Sequence, residues 1–220
     1  MTFHIITMDG PAGSGKSTVA KEVARRLGYT FLDTGALYRA AAVALDAAGC
    51  DIRNENECAS VLAKTSIRIS DGKTYVNGRD VSTEIRAHHI SELASAIAVH
   101  QSVRKELLDI QRSFIGSTSL VAEGRDTGTI VFPDADIKFY LDAAPEERAK
   151  RRYSEFVDKG ADISLEQVLK DLEKRDQRDI ARIISPLAIP EGAVVVDTTH
   201  LKLEEVVDKI LSLIKERLAD

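Results

Sequence analysis

An α/β fold built on a parallel sheet follows from three features of the chain. Short apolar runs alternate with helix-period segments from end to end, a glycine-rich loop joins the first run to the first helix, and an amphipathic helix closes the sequence. Residues 3–8 are the first apolar run and read as a buried strand. Gly10-Pro11-Ala12-Gly13-Ser14-Gly15-Lys16-Ser17 follows at once, a complete G-x-x-x-x-G-K-[ST] pattern. Residues 18–27 carry apolar side chains at helical spacing, with Gly28 placed as the C-terminal cap. A second strand over 29–32 ends at Asp33-Thr34-Gly35, and an alanine-rich helix over 36–48 is stopped by Gly49. Further strands are expected over 120–122, 137–141 and 193–196. Val206, Val207, Ile210, Leu211 and Ile214 share one face of the closing helix, 203–218.

Two stretches interrupt this alternation. Residues 67–81 hold two strand-like runs and two hairpin dipeptides, Asp71-Gly72 and Asn77-Gly78, which predict a small inserted antiparallel meander. Residues 145–182 form an arginine-rich helical region broken near Lys159-Gly160, where Ser164 and Gln167 make a capping-box pattern that restarts the helix. Residues 91–112 read as one helix carrying Ser95 and Arg104.

The 220 residues are 44% hydrophobic and 30% charged, which suits a globular chain with one core plus insertions. The net charge of -5 argues against nucleic acid as the main partner. No apolar run is long enough to span a bilayer, and the N-terminus enters a strand without a leader, so a cytoplasmic protein is expected. Cys50 and Cys58 lack metal-ligand spacing and are expected to be reduced packing residues in helical segments. The five histidines show no ligand pattern, and nothing calls for a dimer, so a monomer is expected.

The glycine loop is a phosphate cradle: amides converge on phosphate oxygens and the helix dipole adds positive potential. Lys16 would reach the β- and γ-phosphates and Ser17 would offer its hydroxyl to Mg²⁺, with Thr18 completing the nucleotide loop. Glu123 closes an apolar strand and is a candidate for the magnesium shell. Beside it, Arg125 suits a bidentate phosphate contact, and Asp126 is an acceptor without an obvious structural duty. Thr34 and Arg39 stand at the carboxyl edge of the sheet, facing a second phosphorylated ligand or serving as a helix cap and a solvated cation. Arg175, Arg178, Asp179 and Arg182 recur at one helical face, and Arg148, Arg151 and Arg152 make another. Arginine rather than lysine dominates both, which favours an arginine lid over a triphosphate.

Taken together, Asp9 to Ser17, Asp33-Thr34-Gly35-Ala36-Leu37-Tyr38-Arg39, Glu123-Gly124-Arg125-Asp126-Thr127-Gly128-Thr129 and Arg175-Asp176-Gln177-Arg178-Asp179 resemble the bacterial cytidylate kinases. The resemblance covers essentially the whole chain, and the run from Gly124 to Pro133 is its most specific part. It implies a P-loop kinase core: a five-stranded parallel sheet flanked by helices, plus an inserted antiparallel meander and a helical lid. It places a monophosphate-binding insertion at about 36–115 and the lid at about 148–165 within one domain, 1–220. It implies transfer of the γ-phosphoryl group of ATP to CMP or dCMP, with Mg²⁺ as cofactor. By motif, Ser95, Arg104 and Asp126 would read cytosine, and Arg39, Arg125 and Arg182 would hold the acceptor phosphate, with Thr34 beside the ligand. Arg175 and Asp179 would contact the sugar, and Lys16, Arg125, Arg152 and Arg182 would surround the transferring group.

Other readings make weaker use of the residues. Kinases of UMP, AMP or an alcohol share the loop, but an alcohol acceptor needs a positioned base for which there is no clear candidate. A GTP-dependent switch needs an N-K-x-D motif, which the sequence lacks. A nucleic-acid-remodelling ATPase fits poorly with the acidic balance.

Overall fold

The computed structural model describes residues 3–70, 72–116, 118–158, 160 and 162–218. In chain order the elements begin with β1 (Ile5–Asp9), α1 (Lys16–Leu27), β2 (Thr30–Asp33), α2 (Thr34–Ala47) and α3 (Glu55–Leu62). The meander β3 (Ile67–Ser70), β4 (Lys73–Val76) and β5 (Arg79–Asp80) follows, then a 3₁₀ turn (Glu84–Arg86), α4 (His88–Ile97) and α5 (Gln101–Arg112). The chain continues through β6 (Leu120–Gly124), a π-helical turn (Thr127–Val131), β7 (Ile137–Asp142), α6 (Pro145–Val157), α7 (Leu165–Ile180), β8 (Val194–Asp197) and α8 (Leu203–Leu218).

The chain divides into two compact units: a core built from residues up to Leu32 and from Ile115 onward, and an inserted unit, Asp33–Phe114. The core holds a five-stranded parallel sheet in the order β2-β6-β1-β7-β8. β1 is central, and Ile6, Thr7, Met8 and Asp9 are all fully buried, as a strand covered on both faces requires. Val19, Ala20, Val23 and Ala24 of α1 and Val206, Val207, Ile210 and Ile214 of α8 pack with Ile6, Met8, Phe139 and Val196 in one cluster. Each helix therefore buries its apolar stripe on the sheet. All five expected strands are present, and Gly28 caps α1 in the left-handed conformation.

In the inserted unit, α2 packs against α4 and β4. The small side chains of Ala40, Ala41 and Ala42, all fully buried, permit that close approach. The meander has the expected antiparallel register, with Ile67 opposite Val76 and Val76 opposite Arg79. Asn77 (φ 50°) and Gly78 (φ 81°) make its two-residue turn, the primed geometry that matches strand twist. Asp71 and Lys159, named in two of the expected breaks, lie outside the described residues.

Three expectations change. Residues 91–112 are not one helix, because Ala98, Val99 and His100 separate α4 from α5. The His100 ring bonds the Ile52 carbonyl at 2.7 Å, and Glu55 accepts the Ser102 amide at 2.8 Å, so α5 starts where α3 holds it. Cys50 lies beyond α2 rather than in a helix, with its sulfur 3.7 Å from that of Cys58; both are free thiols. Arg182 follows α7 instead of lying on it, since the helix ends at Ile180. The capping box stands: Ser164 Oγ accepts the Gln167 amide at 3.1 Å. Among the described residues no helix is long and apolar enough to cross a membrane.

Candidate active site

The glycine loop takes its shape from backbone that only glycine tolerates. Gly10 has φ 150°, and a Cβ there would stand 2.1 Å from the Leu141 carbonyl oxygen. Gly13 and Gly15 are also at positive φ, and a Cβ on Gly13 would lie 2.9 Å from the Arg148 carbonyl. Three loop carbonyls are held by protein donors. Pro11 O accepts from Lys16 Nζ, Ala12 O from Arg148 Nη1 and Ser14 O from Thr198 Oγ1, each at 3.0 Å. In a planar trans peptide the next N–H points the opposite way from the carbonyl. The amides of Ala12, Gly13 and Gly15 are therefore turned away from these anchors, as an anion cradle needs. Gly15 caps α1, so the positive end of the helix opens on the same loop, with Ser17 and Thr18 exposed in its first turn.

Lys16 is buried beneath this loop. Burial, reinforced by Arg125 and Arg175 and opposed by Glu123 and Asp179, lowers its ammonium to about 7. Ser17 Oγ donates to Glu123 Oε1 at 2.8 Å, and Glu123 is itself buried. Among the described residues no three His, Cys, Asp or Glu side chains gather to enclose a metal. A hydroxyl and one carboxylate, adjacent and both oxygen donors, instead fit Mg²⁺, which keeps waters and phosphate oxygens as its other ligands.

Next to Glu123, Arg125 donates from Nε to Asp179 Oδ2 at 3.0 Å, while Arg182 Nη2 donates to Oδ1 of the same carboxylate. Asp179 is 1% exposed. Burial alone would push its carboxyl up, but Arg125, Arg182 and Arg175 outweigh it and hold it below the usual carboxylate range. One carboxylate thus fixes two guanidinium groups from distant parts of the sequence. Asp126 is buried and precedes the Thr127–Val131 turn.

The basic face expected on α6 is largely committed elsewhere. Arg148 is buried and donates to Ala12 O, Ala143 O and Asp176, so it ties the phosphate loop to α7 instead of facing a ligand. Arg151 donates to Thr198 Oγ1 and to the Thr198 and Thr199 carbonyls. Arg152 pairs with Glu155 and lies over the Phe156 ring, 4.6 Å from its centroid. Ala149, Tyr153 and Phe156 of α6 pack with Ala12, Val168 and Leu172, and the contacts of Arg148 and Arg151 add polar anchors to the phosphate loop and to Thr198.

In the inserted unit Asp33, not Thr34, caps α2, accepting the Ala36 amide at 2.8 Å. Its other oxygen accepts from Arg39 at 2.7 Å, so Arg39 is paired rather than solvated. A Cβ on Gly35 would meet both Arg39 and Asp33 at 3.1 Å, which explains the glycine between them. Arg104 donates to the Ala98 carbonyl at 3.1 Å and stacks over Tyr38, 5.5 Å from the ring centroid. Ser95 is buried in α4. Asp9 was named only as part of a motif. It is fully buried and accepts three hydrogen bonds from Thr127 and Gly128. Its position closing β1, ahead of the glycine loop, was the signal available in the sequence.

The cytidylate kinase family profile matches residues 6–216. A cytidylate kinase of Carboxydothermus hydrogenoformans is 46% identical over 213 residues, covering 95% of this chain and 96% of its own. One from Cupriavidus pinatubonensis is 45% identical over 208 residues, covering 94% of each. An uncharacterized protein of Eubacterium ventriosum, known from its crystal structure, superposes with a TM-score of 0.52 at 13% identity. That match covers 96% of this chain and 98% of the other, and speaks to the fold alone. With the phosphate loop, the Ser17–Glu123 pair and the Arg125–Asp179–Arg182 clamp already on one core, the match over nearly all its length has one meaning: this chain belongs to the cytidylate kinase family.

Proposed function

We propose that the protein transfers the γ-phosphoryl group of ATP to CMP or dCMP, giving ADP and CDP or dCDP, as a cytoplasmic monomer in pyrimidine nucleotide metabolism. Family membership carries the substrate class, and the side chains of the core carry the chemistry. A nucleoside monophosphate has its second pKa near 6, so it is mostly dianionic at neutral pH and needs no strong general base. The barrier is electrostatic: two polyanions must meet in line while charge spreads over the transferring group. The amides of the glycine loop and Lys16 hold the donor phosphates. Arg125 and Arg182, fixed by Asp179, present preorganised positive charge to the acceptor phosphate, and the family pattern assigns Arg39 to the same phosphate. Magnesium, held through Ser17 and Glu123, would neutralise β- and γ-phosphate charge when bound.

Asp126 is assigned to the base, with Ser95 and Arg104. Cytosine offers an exocyclic amino donor that a carboxylate accepts, whereas uracil presents a carbonyl that a carboxylate repels. Thr34 is assigned a place beside the acceptor, and Arg175 and Asp179 are assigned to the sugar; for Asp179 this is a second duty besides its ion pairs. Residues 36–115 then serve as the monophosphate-binding insertion, and about 148–165, including Arg152, as a lid whose closure excludes water.

The test is ADP production from ATP with each nucleoside monophosphate in turn. CMP and dCMP should exceed UMP and AMP in kcat/KM. An unpaired buried acceptor costs about 1–3 kcal/mol, so Asp126→Ala should erode the CMP-over-UMP preference by about 5- to 150-fold. Equal use of UMP and CMP by the unaltered enzyme would refute the assignment.

A further inference from the structure

Asp9 presents a chemical problem that the reaction does not explain. It is fully buried at the end of β1, opposite Gly124 in the β1–β6 register, and neither of the residues that hydrogen-bond its carboxylate is assigned to a substrate. Its carboxylate is directed at one short segment. Oδ1 accepts the Thr127 amide at 2.8 Å and the Thr127 hydroxyl at 2.6 Å, and Oδ2 accepts the Gly128 amide at 2.7 Å. Burial, only partly offset by these donors and reinforced by the nearby charge of Asp126, raises its carboxyl above the usual range, so the arrangement is retained against a desolvation cost.

The clamped segment is the one that follows Asp126. The Asp126 backbone (φ -142°, ψ 23°) lies outside regular helix or strand. Its carbonyl accepts the Ile130 amide at 2.9 Å and the Val131 amide at 3.2 Å, so the turn closes back on this residue. The same peptide presents its N–H, that of Thr127, to Asp9. Gly128 seats the turn tightly, since a Cβ there would stand 2.8 Å from Thr7 Oγ1 and 2.9 Å from Pro190 Cγ. The peptide that follows Asp126 is therefore held at both its oxygen and its N–H, which restricts the direction in which the Asp126 side chain leaves the main chain. Three donors from two residues also demand two acceptor oxygens. An amide supplies one, and its NH₂ would face another N–H.

We propose that Asp9 is a positioning residue for acceptor-base selection: by clamping the first two residues of the Thr127–Val131 turn it fixes where the Asp126 carboxylate meets the base. The inference rests on the assignment of Asp126 to cytosine. Misplacing a recognition group by a fraction of an ångström weakens discrimination more than it weakens binding of the other substrate.

The experiment measures kcat and KM for CMP, UMP and ATP in the unaltered enzyme and in Asp9→Asn, Thr127→Val, Thr127→Ser and Asp126→Ala, with thermal unfolding to confirm folding. Asp9→Asn should raise KM for CMP and lower the CMP-to-UMP ratio of kcat/KM, each by about tenfold. KM for ATP should stay within about twofold. Thr127→Val deletes one of the three bonds and should move both quantities the same way by about threefold, while Thr127→Ser, which keeps the hydroxyl, should restore them. Should Asp9→Asn fail to fold, the Val and Ser pair at 127 decides the matter. An unchanged ratio in folded Asp9→Asn (or, failing that, in Thr127→Val), with Asp126→Ala lowering it, overturns the role of Asp9 and leaves the base assignment intact. An unchanged ratio in Asp126→Ala overturns the base assignment, and this inference with it. A rise in KM for ATP equal to that for CMP shows that Asp9 serves the phosphate loop, and overturns the inference alone.

Discussion

Glu123 accepts the Ser17 hydroxyl at 2.8 Å, joining the end of β6 to the first turn of α1. The pair places one buried negative charge beside the exposed end of the phosphate cradle. A hydroxyl alone is a poor ligand for a hard dication, so the carboxylate should dominate the affinity. Glu123→Gln keeps the size and a hydrogen bond to Ser17 but removes the charge. It should raise the magnesium concentration giving half-maximal rate by about tenfold, within the range for perturbing a metal's supporting shell. Binding of ATP in EDTA should be nearly unaffected. A magnesium titration of initial rates, with a fluorescent ATP analogue for the metal-free arm, checks both.

Lys16 is lowered to about 7 by burial and by the neighbouring Arg125 and Arg175. A bound polyphosphate favours the charged ammonium and lifts that value. Between the free and bound values, binding must take up a proton, so ATP affinity should fall as pH rises from about 7 toward 9. Calorimetry in buffers of differing ionisation enthalpy should register the uptake, and Lys16→Met should lose it. The same variant should lose turnover with every acceptor, by at least about a hundredfold.

Arg148 is the hinge pin of the phosphate loop, since it holds Ala12 O at 3.0 Å while paired to buried Asp176. Arg148→Met strands that carboxylate, a change that costs about 3–5 kcal/mol in buried pairs. Urea unfolding at pH 7 should show the loss. Arg148→Met combined with Asp176→Leu should recover at least half of it, because the unpaired charge is gone. KM for ATP should remain raised in the double variant, since the Ala12 carbonyl still lacks its anchor.

The framework was legible because it rests on local chemistry. The five strands, the Asn77-Gly78 turn, the Gly28 cap and the Ser164 capping box each follow from residue type and spacing within a few positions. What the sequence hid was set by partners far along the chain. The break between α4 and α5 contains neither proline nor glycine; it is imposed by Ile52 and Glu55 through His100 and Ser102. The same holds for the arginines. Periodicity put Arg148, Arg151 and Arg152 together on α6, but only the fold reveals that Ala12, Asp176 and Thr198 already occupy two of them. Asp179 read as one member of a charged stripe, whereas it holds Arg125 across 54 positions of sequence. The role of Asp9 was concealed for the same reason, since its partners lie more than a hundred positions away.

The inserted unit leaves the core after β2 and returns just before β6, and those strands are neighbours in the sheet. Thr30 donates its amide to the Ser119 carbonyl at 2.9 Å, so the exit and entry points are stitched together independently of everything between them. The excursion therefore imposes little topological demand on its host, because a short bridge across the same doorway closes the sheet. In the proposed reading the excursion carries Thr34, Arg39, Ser95 and Arg104, while Arg125, Asp126 and Arg182 belong to the host frame, so redrawing the insertion would alter only one part of acceptor recognition.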